Sequence, residues 1–356
     1  MPVAAACTAP EAGFDPSRPV LVTGAAGFIG AAVVRVLAAR GARVLALDDL
    51  SAGSAARLEG TLSSVEFTVG DVRDDVLLDR LLAERPSAVL HLAARVGVRR
   101  VLAAPGACEA ENVEGAEAIA AAVQRAALRP RVIAASTSEV YAESRAQLSE
   151  SSALRPTRAR GRWRYAASKL RAEQILDAAL GADVLHLRFF NVVGPGQDAS
   201  SGMVLPRFVE RALEGAPLEV YGSGRQVRTL AHVDAVAEDV ARVTLAGPGG
   251  AREAHAHSSL SGAQGALNVG GTARTTVLGL AERVVRLAES SSEVVFRDPQ
   301  KTVSARFEEV DHRVPDLGRL RALGLGARPW DLDSIVADTL ARHRAPAAPP
   351  CASPAS

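Results

Sequence analysis

Short apolar and β-branched runs alternate along the first half of the chain with longer stretches in which apolar positions recur every third or fourth residue. The short runs predict strands at Val20–Thr23, Arg43–Leu47, Val65–Val69, Ala88–Leu92, Arg131–Ala135 and Val184–Phe189. The longer ones predict helices at Gly27–Arg40, Asp75–Glu84, Cys108–Ala127 and Arg164–Leu180. Strands with little polar alternation need cover on both faces, so the pattern implies βαβ units and a doubly wound parallel sheet. After Asn191 the rhythm becomes irregular, with helices expected near Val204–Glu214, Val233–Leu245, Val277–Ala288 and Leu332–His343. The expected organisation is a flexible leader at 1–18, a sheet-forming domain at 19–190, a smaller α/β lobe at 191–344 intertwined with it, and a disordered tail at 345–356. The Gly/Ser/His-rich stretch Gly247–Gly265 reads as an inserted loop.

Charge changes little in this picture and excludes a good deal. With 41 basic against 40 acidic residues, the chain has no basic excess for nucleic acid or a polybasic membrane contact. Aromatics at 4% are too few for a base-stacking platform. Cys7 and Cys351 lie near the ends and Cys108 stands alone inside, so neither a disulfide framework nor a zinc site is expected. His255 and His257 lack nearby carboxylates, and no metal is expected there either. The longest apolar stretch, Val20–Ala39, is broken by three glycines and Arg35, which makes it a poor membrane span. Without a basic, apolar leader, the expected location is cytoplasmic. Two of the basic residues are lysines, Lys169 and Lys301, so Lys169 is a candidate for work that arginine cannot do.

The first strand runs into Thr23-Gly24-Ala25-Ala26-Gly27-Phe28-Ile29-Gly30. Gly24 suits a tight turn, Gly27 a close approach to a pyrophosphate, and Gly30 close helix–strand packing. The following helix start offers free N–H groups to phosphates. The second strand ends at Asp48, placed to accept from the adenosine ribose hydroxyls and to repel a 2′-phosphate, so NAD is expected rather than NADP. Asp71 and Val72, after the third strand, are placed to meet adenine. Leu92, Ala93 and Ala94, after the fourth, are placed along the cofactor's ribose and phosphates.

Tyr165 and Lys169 stand four residues apart, on one helix face. A nearby ammonium would lower the phenol's pKa and let Tyr165 act as a base. The strand at Arg131–Ala135 leads into Ser136-Thr137-Ser138-Glu139, which puts Thr137 and Glu139 at the edge of the sheet where ligands bind.

Together, TGAAGFIG, the Asp48 acid, HLAA, STSEVY, YAASK and RFFNVVGPGQ resemble the extended short-chain dehydrogenase/reductases, with a Rossmann-type sheet and a C-terminal substrate-binding lobe. More narrowly they resemble the NAD-dependent nucleotide-sugar epimerases, dehydratases and decarboxylases. The resemblance runs from about Val20 to Ala341. It implies that Tyr165 takes the proton from the sugar O4, that Thr137 holds that oxygen, and that Lys169 binds the nicotinamide ribose. It also implies a homodimer formed through the Cys108–Ala127 and Arg164–Leu180 helices as a four-helix bundle.

The segment 137–139 selects among the reactions. Where 4,6-dehydratases carry Thr-Asp-Glu, this chain has Ser138, a poor acid, and Glu139 is atypical of common 4-epimerases. Thr-Ser-Glu resembles the UDP-glucuronate decarboxylases, also called UDP-xylose synthases. In those a transient 4-ketone lies β to the C6 carboxylate and lets carbon dioxide leave. The resemblance implies that Glu139 positions the ring or a water and that an arginine, expected at Arg228, acts at the departing carboxylate. Arg228 and Arg313 are also expected on the diphosphate, and Ser138, Asn191, Arg207 and Tyr221 on the UDP-sugar. Arg95, an unusual charge just after HLAA, is a candidate partner for a glucuronate carboxylate. The chain departs from the family at Gly194-Pro195-Gly196, where Gly-Pro-Arg is frequent. The expected function is therefore decarboxylation of UDP-glucuronate to UDP-xylose or a UDP-4-keto-pentose. A UDP-sugar 4-epimerase is the alternative, followed by a 4,6-dehydratase and a non-catalytic NAD sensor.

Overall fold

The computed structural model describes residues 15–61, 63–97, 104–159, 161–246, 265–302, 310–326 and 330–344. Residues 1–14 of the expected leader, 247–264 of the expected insertion and the expected tail lie outside them. Asp15–Arg18 form a turn, and the Arg18 guanidinium donates to the carbonyls of Arg85 and Pro86 at the base of the sheet.

In chain order the first layers are β1 (Val20–Thr23), α1 (Phe28–Ala39), β2 (Val44–Asp48), β3 (Val65–Val69), α2 (Asp75–Ala83), β4 (Ala88–His91), α3 (Pro105–Arg125), β5 (Arg131–Thr137), α4 (Arg164–Leu180) and β6 (Val184–Phe189). There follow β7 (Val192–Val193), α5 (Val204–Leu213), β8 (Leu218–Tyr221), β9 (Val227–His232), α6 (Val233–Leu245) and β10 (Ala266–Val269). The last are β11 (Ala273–Thr276), α7 (Val277–Ala288), β12 (Val294–Arg297), β13 (His312–Arg313) and α8 (Leu332–Arg344).

Seven strands pair in parallel in the order β10-β6-β5-β4-β1-β2-β3. Alternate residues serve opposite faces. Val20, Val22, Val44 and Ala46 pack with α1 and α6 in one core. Leu21, Leu45, Leu47 and Val89 pack with α2, α3 and α4 in the other. The chain reverses its direction of travel across the sheet between β1 and β4. Ligands of open α/β sheets bind at such a switch point, beyond the carboxyl ends of the strands.

Two elements after Asn191 return to this sheet. Helix α6 packs beside α1, and β10, whose four residues are all buried, adds a seventh strand next to β6. The pattern of the sequence does not predict β10, because its run of ALNV is too short to stand out after a long polar stretch. Strand β5 also outruns the expectation and carries Ser136 and Thr137 on the sheet itself. Around it, β11-β9-β13 with β7, the pair β12-β8, and helices α5, α7 and α8 form a smaller layer with its own core.

His91 closes β4 beneath the switch point. Its Nδ1 lies 2.8 Å from the Thr23 hydroxyl, and the ring is buried. Burial, reinforced by the charge of Lys169, lowers its pKa to about 3. The unfolded chain therefore takes up this proton near pH 6.5, while the native state resists it. Stability is expected to fall as pH drops from about 6.5 towards 3. Urea titrations should show that decline becoming shallower in His91→Gln.

Candidate active site

The turn between β1 and α1 is held by backbone contact. A Cβ at Gly24 (φ +71°) would stand 2.6 Å from the Ala93 nitrogen, and one at Gly30 only 2.0 Å from the Gly24 carbonyl oxygen. Helix α1 starts at Gly27 with no side-chain cap and no acid in its first turn. Such a helix start, with Gly24 of the preceding turn pressed against the Leu92–Ala93 backbone, fits a dinucleotide pyrophosphate. Leu92 donates its N–H to the Thr23 carbonyl at 3.0 Å, which fixes that approach, and Ala94 follows in the same segment.

Asp48 is buried at the end of β2. Its carboxylate accepts from the Ala26 N–H at 2.9 Å and the Leu50 N–H at 2.8 Å. Burial raises its pKa, while these backbone donors oppose the rise. Each oxygen retains further acceptor capacity for a ribose hydroxyl. Asp71 is turned to Arg73 at 2.6 Å, whose hydrogen bond holds its carboxyl below the usual range, so its side chain is engaged within the protein. Val72 sits against Gly115 of α3.

The reacting side chains converge above β5. Thr137 ends the strand and its hydroxyl accepts from the Glu139 N–H at 3.2 Å, setting a tight turn in which Ser138 is buried. The Tyr165 phenol stands near enough to the same hydroxyl for Thr137 to work towards lowering its pKa. Lys169, one turn along α4, is buried and donates from Nζ to the Ala135 carbonyl at 2.9 Å.

The electrostatics correct one expectation. The Tyr165 phenol is pushed above its ordinary value, first by burial, then by the negative charge of Glu139. The Thr137 hydroxyl and the Arg313 guanidinium pull the other way and do not prevail. The i, i+4 spacing places Lys169 correctly, but it does not reveal how much water the fold removes. Burial likewise lowers Lys169 itself, to about 8.

One arginine makes a contact that the sequence did not predict. The guanidinium seated on Glu139 belongs to Arg313, whose Nη1 donates to Oε1 at 3.0 Å, with both side chains largely buried. Arg228 lies in register beside it, on β9 next to β13, and donates from Nη1 to the Val227 carbonyl at 2.9 Å. No arginine was expected on Glu139 itself; Arg313, expected on the diphosphate, is the one found there. The sequence could not show this, because the pairing of β9 with β13 joins segments far apart in the chain.

Other predicted substrate contacts are engaged within the chain. Arg95 grips Glu111 of α3 through Nε at 2.6 Å and Nη2 at 2.8 Å. Asn191, at φ 37°, donates from Nδ2 to the Thr229 carbonyl at 3.0 Å. Arg207 and Tyr221 meet each other, Nη2 to hydroxyl at 3.1 Å, with Glu219 3.6 Å from the same guanidinium. His91, the first residue of HLAA, and Ser136, the first of STSEVY, lie close to the reacting groups, as does Cys108, to which no motif assigns a place there. Glu173 is a further residue of the site without a motif of its own. Its one signal in the sequence is its spacing, four residues beyond Lys169 on the same helix face. Among the described residues, no cluster of three or more His, Cys, Asp or Glu side chains could hold a metal, and no helix is long and apolar enough to cross a membrane.

Comparison with known proteins agrees with this geometry. A profile described as the NAD dependent epimerase/dehydratase family matches residues 20–252. The chain is 30% identical over 307 residues to UDP-N-acetyl-alpha-D-glucosaminuronate decarboxylase of Bacillus cytotoxicus, covering 85% of this chain and 90% of the relative. Its fold is similar to that of a Thermus thermophilus UDP-glucose 4-epimerase in complex with NAD (TM-score 0.75, 28% identity, 92% of this chain and 100% of the other). It is also similar to MoeE5 in complex with UDP-glucuronic acid and NAD (TM-score 0.73, 29% identity, 92% and 99%). With a glycine turn and Asp48 that suit a dinucleotide, and with Thr137, Tyr165 and Lys169 assembled beside it, the chain belongs to the NAD-dependent epimerase/dehydratase family and uses NAD.

Proposed function

We propose that this protein decarboxylates UDP-glucuronate through a 4-keto intermediate, giving UDP-xylose, a UDP-4-keto-pentose, or both. The observation that carries the reading is the Arg313–Glu139 pair beside Thr137 and Tyr165, with Ser138 where dehydration would need an acid. The decarboxylase relative from Bacillus cytotoxicus and the UDP-glucuronic acid bound by MoeE5 support it.

NAD, when bound, supplies the hydride acceptor at the start and the donor at the end. The chain's own groups handle the protons and the charge. Tyr165 takes the O4 proton as C4 is oxidised, and Thr137 holds that oxygen. The C4 carbonyl so formed lies β to the C6 carboxylate. The C5–C6 bond breaks, carbon dioxide leaves, and the electron pair passes to the carbonyl as an enolate. Enolate charge developing on O4 is met by Tyr165, now protonated, and by Thr137. Arg313 is a cation for the substrate carboxylate, and Glu139 fixes that guanidinium. A proton from solvent water, delivered to C5, completes the ketone, and where C4 is reduced again Tyr165 returns its proton to O4. Lys169 holds the nicotinamide ribose, while Asn191, Arg207, Tyr221 and Arg228 hold the nucleotide and diphosphate. Two copies joining through α3 and α4 complete this reading.

A second reading is a UDP-sugar 4-epimerase, favoured by the Thermus thermophilus likeness and by a UDP-glucose 4-epimerase of Mycolicibacterium smegmatis at 35% identity over 237 residues. Both readings share the first oxidation and differ in whether carbon is lost.

Purified protein given UDP-glucuronate is expected to release carbon dioxide and form UDP-xylose with no net build-up of reduced cofactor, or a UDP-4-keto-pentose with one reduced cofactor left for each molecule released. Mass analysis showing UDP-galacturonate with all carbon retained would move the function to 4-epimerase. Tyr165→Phe is expected to lower turnover at least about a hundredfold while NAD stays bound, as cofactor fluorescence would report. Glu139→Gln and Arg313→Gln are each expected to slow carbon dioxide release by roughly ten- to a hundredfold. The double variant should be little worse than either, since the two act as a pair. Additive losses would separate them.

A further inference from the structure

A buried polar network lies directly under the reacting groups. Tyr165, Lys169 and Glu173 follow one another at i, i+4 and i+8 on one face of α4. Two consecutive residues of β5 meet the last two of them. The Ala135 carbonyl accepts from Lys169 Nζ at 2.9 Å, and the Ser136 hydroxyl donates to Glu173 Oε1. Arg188 of β6 closes on the same carboxylate, Nε to Oε1 at 3.0 Å and Nη2 to Oε2 at 2.7 Å. Both side chains of this ion pair are almost wholly buried.

From Arg188 the network turns towards the other half of the site. Its Nη1 donates to the Tyr141 hydroxyl at 3.2 Å, two residues beyond Glu139, and that hydroxyl donates to Asn268 Oδ1 of β10 at 2.7 Å. Asn268 Nδ2 donates in turn to the carbonyls of Leu148 at 2.8 Å and Asp316 at 3.1 Å. Leu148 is bonded through its backbone to Val314 and Asp316, immediately after Arg313. One chain of buried hydrogen bonds thus ties the Tyr165 helix, the Thr137–Glu139 turn and the Arg313 strand.

A buried ion pair of this kind is weak as a source of stability, because desolvation offsets the attraction. Its place one turn beyond Lys169 on the same helix face gives it a different use. We propose that Glu173, anchored by Arg188 and Ser136, is a positioning residue whose carboxylate is the counter-charge that keeps the Lys169 ammonium charged and seated on Ala135 beside Tyr165. Among the described residues, the titratable groups coupled to Lys169 are Cys108 of α3, His91 of β4 and Glu173 of its own helix. Of these, His91 is neutral, and burial raises the Cys108 thiol, so at neutral pH neither bears a negative charge. Glu173 does. Burial pushes its carboxyl up, but the hydrogen bond and charge of Arg188 outweigh burial and hold it below the usual range.

The inference rests on the proposed function only for what Lys169 does, and its test needs no substrate. The chain contains two lysines, so the full-length protein labelled with 13Cε-lysine gives two signals, one from Lys169 and one from Lys301, which is exposed. Replacing Glu173 by Gln is expected to lower the Lys169 titration midpoint by roughly one pH unit and leave Lys301 unmoved. Should that variant fail to fold with Arg188 left unpaired, the double variant Glu173→Gln/Arg188→Gln leaves no buried charge alone and should shift the midpoint the same way. With UDP-glucuronate, the alkaline limb of kcat should move down in parallel while KM holds. A Lys169 midpoint unchanged in both variants would overturn the proposal whatever reaction the enzyme performs. A shifted midpoint without carbon dioxide release would sustain it and overturn only the decarboxylase reading.

Discussion

The seating of helix α4 on strand β5 is the constraint from which the active site follows. Lys169 reaches the Ala135 carbonyl and Glu173 the Ser136 hydroxyl, so helix and strand are locked at two successive rungs. That lock fixes the height of Tyr165 above the sheet and brings its phenol to Thr137, the last residue of the strand. A shift of one residue along β5 would exchange the faces on which Ser136 and Thr137 lie, and both contacts would be lost. The parallel sheet supplies the rigidity, since β5 sits between β4 and β6 with helices on both faces.

Water exclusion then governs the chemistry. Burial raises the Tyr165 phenol and lowers Lys169 and His91, and in each case it is the largest influence. The site therefore resists charge unless charge is matched by a partner. Glu139 has Arg313, Glu173 has Arg188, and Arg95 has Glu111. The pairs differ in exposure. Glu173–Arg188 is almost closed to solvent, whereas Arg95 and Glu111 keep about a third of their surface, so screening leaves the latter pair little energy. Pairing of this kind lets several ionised groups sit within one apolar edge without collapse or general neutralisation.

Much of the cofactor half was legible in the chain. The glycine turn and Asp48 lie within contiguous βαβ sequence, and local rules connect residue type to backbone shape there. Gly24 and Gly30 are required because a Cβ would strike backbone atoms. The Tyr165–Lys169 spacing was equally plain, being a property of one helix. In the substrate half the sequence did not foretell the contacts made within the chain. Arg207 and Tyr221 prove to be partners of each other, and Arg95 a partner of Glu111, because an arginine in sequence carries no record of which carboxylate or hydroxyl the fold will bring to it.

The sequence alone thus determined the doubly wound sheet, the dinucleotide turn and the Thr137, Tyr165 and Lys169 set, since hydrophobic period and residue spacing act over one or two elements. Tertiary structure decided that an arginine, Arg313, meets Glu139. Arg228 and Arg313 are far apart along the chain, yet neighbours in register between β9 and β13, and Arg313 meets the carboxylate from that position. It also decided the sign of the Tyr165 shift, because desolvation depends on everything packed around a group and not on the residue four places along its helix.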